Sequence, residues 1–151
     1  MKLTYNQIAE LIQVFAEISK KTKGHKLGFE INSNLANLRL KFNHIEKTVS
    51  DFVDTFKIKD MKGENKNFIS VGGKITGEYD NKSELNDGES LVHKFDPERF
   101  SELIEERKKF EEEEHEINIH LLSREKVETA FENGKFDEVD LSPLFMYNIL
   151  D

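Results

Sequence analysis

The chain has 151 residues, twelve of them phenylalanine, with no cysteine or tryptophan, 34% charged residues and a formal net charge of −8. That length predicts one domain over residues 1–151 burying about 70% of its unfolded surface, while the lack of cysteine excludes a disulfide framework or thiolate metal site and points to a reducing compartment. No window approaches the ~18 apolar residues of a membrane span, and Met1 to Asn6 carries no cationic run leading into an apolar block, so neither membrane insertion nor secretion is expected.

Thr4 stands three residues before Gln7, the spacing of a capping box. The apolar residues that follow, Ile8, Leu11, Ile12, Phe15 and Ile18, recur at helical intervals. A helix over 4–23 is predicted. Lys20, Lys21 and Lys23 complement its C-terminal dipole, and Gly24 is placed to cap it.

Next comes a heptad seam, in which Ile31, Leu35, Leu38, Phe42, Ile45, Val49, Phe52 and Phe56 alternate steps of four and three without interruption. The predicted helix, 29–58, is about 45 Å long, against about 25 Å for the first helix. The seam therefore needs further cover. A third amphipathic helix over 96–114 supplies a candidate, opening at Asp96 and Pro97 and placing Phe100, Leu103, Ile104 and Phe110 on one face. Either the two shorter helices shield the long one, or part of the seam pairs between copies.

Residues 61–95 form a β-prone insert. Gly72 and Gly73, flanked by Phe68 to Val71 and Lys74 to Tyr79, signal a tight hairpin, and Leu91 to Phe95 is a further short run. Alternation at Ile117, Ile119 and Leu121 predicts a strand over 116–122 that joins the hairpin in an antiparallel sheet. Ser123 caps a helix over 124–133, with Val127, Ala130 and Phe131 on its inner face and Gly134 at its end. A last helix, 142–150, is too apolar to be left undocked, with Ser142 as its cap and Pro143 at its first position. The expected fold class is α+β, mainly α: a long helix packed antiparallel with two shorter ones, a small antiparallel sheet and short C-terminal helices.

No motif for chemistry emerges. His115, Glu116 and His120 approach a zincin pattern, but a separation of five on an alternating segment sends the two rings to opposite faces. Gly72, Gly73, Lys74 and Gly77 lack the spacing of a phosphate loop, and Ser70, Ser90, Ser101 and Ser123 lack a Gly-x-Ser-x-Gly frame. Neither a metal nor a cofactor is expected. Charge is uneven: residues 1–60 hold ten Lys/Arg and seven Asp/Glu (+3), and 61–151 hold twelve and twenty-three (−11). The two parts attract, within one chain or between copies. Glu111, Glu112, Glu113 and Glu114, preceded by Glu105 and Glu106, form an acidic ridge where negative charge opposes the helix dipole, read first as a solvated face and otherwise as an imitation of a nucleic-acid backbone or a surface for a basic partner. Net acidity argues against direct nucleic-acid binding.

The order of these elements resembles a family of small tailed-bacteriophage proteins over nearly the whole chain. The resemblance is carried by Phe95-Asp-Pro-Glu-Arg-Phe-Ser-Glu-Leu-Ile104, Glu116-Ile-Asn-Ile119 and Asp140-Leu-Ser-Pro-Leu144. It implies a helical hairpin with a small β insert and supplies no catalytic or binding residue. The Lys-, Asn- and Glu-rich composition suits a phage of an AT-rich host.

The expected function is non-enzymatic: a bacteriophage virion or assembly accessory, in the host cytoplasm or the virion, that binds a phage structural or host protein or self-associates. The alternative is an early phage inhibitor of a host enzyme or defence protein, using the acidic ridge as a charge mimic. Expected contact residues are Leu38, Phe42, Ile45, Val49, Phe52 and Phe56 on the seam, and Glu105, Glu106, Glu111, Glu112 and Glu113 on the ridge.

Overall fold

A computed structural model describes residues 1–22 and 27–151 of the chain, so Lys23, Gly24 and His25 lie outside the described residues. The elements are β1 (Lys2–Thr4), α1 (Tyr5–Lys21), α2 (Gly28–Asp54), β2 (Asn67–Val71), β3 (Lys74–Glu78), β4 (Glu89–His93), α3 (Phe100–Glu112), β5 (Glu114–Glu116), α4 (Arg124–Glu132) and α5 (Ser142–Met146). The fold class is α+β, with a long helix packed on another helix and small antiparallel sheets. The chain forms two compact units, one of residues 1–47 and 109–151, the other of residues 48–108. None of the described helices is long and apolar enough to cross a membrane.

In the first unit Gln7 reaches back to accept the Thr4 N–H at 2.8 Å, completing the predicted cap of α1. Ile8, Leu11, Val14, Phe15 and Ile18 are then buried along one stripe. Helix α2 runs antiparallel to α1. Tyr5, at the start of α1, stacks on Phe42 with ring centroids 5.1 Å apart, and Ser19, near its end, donates to Asn32 at 2.6 Å. Ile31, Leu35, Leu38 and Ile45 are buried between turns of α2 and the rest of this unit.

A three-residue strand, β1, precedes α1 and pairs antiparallel with β5, setting Lys2 opposite Glu116 and Leu3 opposite His115. The strand expected over 116–122 is thereby corrected: ladder pairing covers 114–116 and does not involve the hairpin. Beyond Glu116 side chains of α2 take over hydrogen bonds of the chain. The buried Asn34 amide donates to the His120 carbonyl at 2.8 Å and accepts the His120 N–H at 2.7 Å, as a strand neighbour would. Asn37 donates to the Asn118 carbonyl at 2.9 Å. Leu122 then pairs with the C-terminus, donating to Ile149 at 2.8 Å and accepting from Asp151 at 3.0 Å.

The C-terminal tail is docked, with Leu144, Ile149 and Leu150 buried. Its helix is shorter than 142–150. It is capped at Leu141, with Asp140 accepting the Ser142 N–H at 2.9 Å, and it ends at Met146, past which Asn148 turns with φ of 52° and frees the last residues to pair with Leu122. The Tyr147 hydroxyl donates to Glu10 at 2.5 Å, tying the tail to α1, and this bond pushes its pKa up to about 12. A phenol whose folded pKa lies above its unfolded value contributes stability that is complete below about pH 10 and lost as pH rises toward 12. Spectrophotometric titration is expected to show one of the three tyrosines ionising last, and Tyr147→Phe should abolish that late step.

In the second unit β2 lies between β3 and β4 in an antiparallel sheet. Val71 pairs with Lys74 across Gly72 and Gly73, whose φ values of 57° and 81° are those of a type I′ turn. Replacing Gly73 with valine is expected to cost about 1–2 kcal/mol, read as a lower urea midpoint, whereas Gly72→Asn should be nearly neutral. Every residue of the edge strand β3 is exposed, but its register shifts opposite Ile69 and Ser70, an irregularity that blunts the open edge.

Helix α2 ends at Asp54, four residues before the expected boundary. Thr55, Phe56 and Lys57 close tight i→i−3 turns, after which the Ile58 N–H bonds to the Lys94 carbonyl and the Asp96 N–H to the Phe56 carbonyl, both at 2.8 Å. Long-range pairing draws residues 57–59 into extended structure. The predicted helix over 96–114 opens as a 3₁₀ turn, Pro97–Arg99, capped by Asp96, and α3 stops at Glu112 where the chain enters β5. Of its expected apolar face only Leu103 is buried; Phe100 and Ile104 are exposed and Phe110 is half-buried.

Candidate functional site

The seam residues named as contacts are enclosed to very different degrees. In the first unit Leu38 and Ile45 are buried and Phe42 is half-buried against Tyr5. In the second, Phe56 is buried, while Val49 and Phe52 are half-buried; Phe52 and Phe56 meet edge-on with centroids 5.0 Å apart. A side chain without exposed surface cannot form a contact patch. Leu38, Ile45 and Phe56 are core, while Phe42, Val49 and Phe52 keep part of their surface exposed.

The acidic ridge is exposed at Glu105, Glu111, Glu112 and Glu113 and half-buried at Glu106. Glu105 and Glu106 belong to the second unit, the other three to the first. Near its end, His115 is held with Nε2 buried and no hydrogen-bond partner, and burial, Lys41 and His44 lower its pKa against the opposing pull of Glu113. Among the described residues, no three His, Asp or Glu side chains are grouped so as to hold a metal ion.

A groove not anticipated from the sequence lies between α4 and α5. Ser123 caps α4 by accepting the Lys126 N–H, and the buried Val127 and Ala130 fix the helix on the core. Phe131 comes four residues after Val127, yet it sits on the flank, 53% exposed. Across from it α5 presents Phe145 at 45% and Met146 at 67% exposure. Val127, Phe131, Val139, Leu141 and Phe145 line a cavity of about 340 Å³ whose polar margin is Glu128, Glu132 and Ser142. Leaving two phenyl rings half in water forgoes about 1 kcal/mol each relative to full burial. Arg124 braces the α5 side, its guanidinium 5.7 Å from the Phe145 ring centre.

Along α4 the margin is acidic at Glu128 and Glu132, while Arg124, one turn before Glu128, places a cation on the α5 side. Glu128 and Glu132 are exposed, stand one helical turn apart on α4, and have no ion-pair partner among the described residues. Like charges at that spacing repel by a few tenths of a kcal/mol, and Glu132, the last residue of α4, also opposes the helix dipole.

A second depression, also about 340 Å³, is lined by Asn37, Leu40, Lys41, His44, Glu116, Ile117 and Asn118. Leu40 is 74% exposed, but most of the lining is polar. Two of these seven lining residues are apolar, against five of the eight that line the α4–α5 groove. The sequence signal for it was an excess of large apolar residues, Phe131, Phe145 and Met146, in helices of nine and five residues whose buried faces are filled by Val127, Ala130 and Leu144.

Comparison with protein-family models, with curated proteins and with solved structures finds no match for this chain.

Proposed function

We propose that this protein works by binding another protein and carries out no chemistry of its own, serving a tailed bacteriophage as a virion or assembly accessory in the host cytoplasm or the particle. The observation that carries the binding role is the α4–α5 groove, where Phe131, Phe145 and Met146 present apolar surface beside the acidic margin of Glu128 and Glu132. Apolar patches of this kind, rimmed by charge, mark contact sites more often than idle surface. The phage assignment follows from the resemblance in element order, and a hetero-partner fits better than a second copy because the chain is itself acidic, at −8.

A second reading, inhibition of a host enzyme or defence protein by charge mimicry, is favoured by the exposure of Glu105, Glu111, Glu112 and Glu113. Mass spectrometry of gradient-purified virions, beside affinity capture from infected cells, separates the two. Stoichiometric copies in the particle support the accessory role. A one-to-one complex with a host enzyme, lost when ridge glutamates are changed to glutamine, supports inhibition, and a catalytic turnover traced to the purified chain would defeat both.

A further inference from the structure

We infer that the α4–α5 groove receives a cationic amphipathic segment of the partner, with apolar anchors entering between Phe131 and Phe145 and a Lys or Arg flank lying over Glu128 and Glu132. This rests on the protein-binding reading above and specifies its partner. The cavity of about 340 Å³ admits apolar side chains, and its lining by Val127, Val139 and Leu141 offers them no hydrogen-bond partner. An apolar face alone would accept many occupants. The margin selects among them, because Glu128 and Glu132 repel each other, Glu132 opposes the dipole of its own helix, and neither has an ion-pair partner among the described residues. A partner cation placed over this pair relieves both penalties at once, whereas an acidic partner adds a third. Anchors on one face and cations on the adjoining one describe an amphipathic helix, the usual occupant of an apolar groove.

The test uses two synthetic amphipathic peptides with the same leucine pattern, one with lysines on the polar face and one with glutamates, titrated into the isotope-labelled full-length protein. The lysine peptide is expected to shift signals of Val127, Phe131, Val139 and Phe145, and to bind at least about tenfold more tightly than the glutamate peptide. The double substitution Glu128→Lys and Glu132→Lys should reverse that preference without loss of thermal stability, since both side chains are exposed and a cation suits the end of α4. Phe131→Ser, also at an exposed position, should weaken both peptides. Equal binding of the two peptides, shifts centred elsewhere, or an unchanged preference in the reversed variant would overturn the assignment. So would concentration-dependent dimerisation that the reversal abolishes, because the groove would then be filled by a second copy. Virion incorporation or partner capture that survives both Phe131→Ser and the charge reversal would remove the groove while leaving the protein-binding reading intact. Binding of the lysine peptide at the groove, together with demonstrated turnover by the purified chain, would instead remove that reading and leave the groove's preference for cations standing.

Discussion

Truncation of Phe56 to alanine is expected to destabilise the second unit by about 4 kcal/mol. The ring is 2% exposed, meets Phe52 edge-on at 5.0 Å and is capped by the Arg99 guanidinium 4.2 Å from its centre. Arg99 is anchored in turn by the Thr55 carbonyl at 3.1 Å and by Glu102. Few other large side chains in this unit are buried, chiefly Phe68 and Leu103. A cavity at Phe56 therefore has little surrounding core to collapse into it, which places the cost toward the high end for such truncations. Phe56→Leu should cost much less. Hydrogen exchange in β2 is the measurement: a loss of 4 kcal/mol accelerates exchange through unfolding by roughly 10³-fold, and the acceleration should be much smaller in α1, which belongs to the other unit. Equal acceleration in both would show that the two units unfold as one.

What could be read from the chain and what could not divide according to the range of the interactions involved. The seam from Ile31 to Phe56 was legible because helical periodicity is a local property, and its inward face is core as the spacing implied. The Gly72-Gly73 hairpin was legible because positive φ at two successive positions is written in the residues themselves. The ends of α2 and α3 were not. No glycine or proline marks residues 55–59; the helix stops because strand-like bonds to Lys94 and Asp96 compete for that backbone.

The segment after Glu116 shows the same limit from another side. Its alternation predicted a strand with Leu121 inward, but Leu121 is exposed and Leu122 buried, and the hydrogen-bonding partner is a pair of asparagines on α2, 86 and 81 residues away in sequence for His120 and Asn118. Nothing local distinguishes a segment held by a strand from one held by side chains. The α4–α5 groove was missed for a related reason: spacing places Phe131 beside Val127 but cannot say how much cover the short α5 provides. Exposure depends on the neighbours, and those arrive from elsewhere in the chain.

Asn34→Ala is expected to destabilise the first unit by about 2–4 kcal/mol, although a count of apolar area would assign the change little effect. The Asn34 side chain is fully buried, and its amide satisfies both the carbonyl and the N–H of His120. Alanine removes the partner of both groups, whose bonds to Asn34 are partly buried, and each group left unsatisfied away from water costs about 1–3 kcal/mol. Asn34→Asp tests the geometry more closely. An ionised carboxylate still accepts the His120 N–H but faces the His120 carbonyl with no proton to donate, whereas the neutral acid can satisfy both. The folded pKa of the introduced carboxyl should accordingly lie above its unfolded value. The stability it confers is then complete below about pH 4 and lost as pH rises through the folded pKa. Chemical denaturation between about pH 3 and 7 should therefore show the gap between Asn34→Asp and the parent protein widening with pH, while the Asn34→Ala gap stays constant. A flat difference for both variants would mean that water replaces the amide at His120 and that the clamp contributes little.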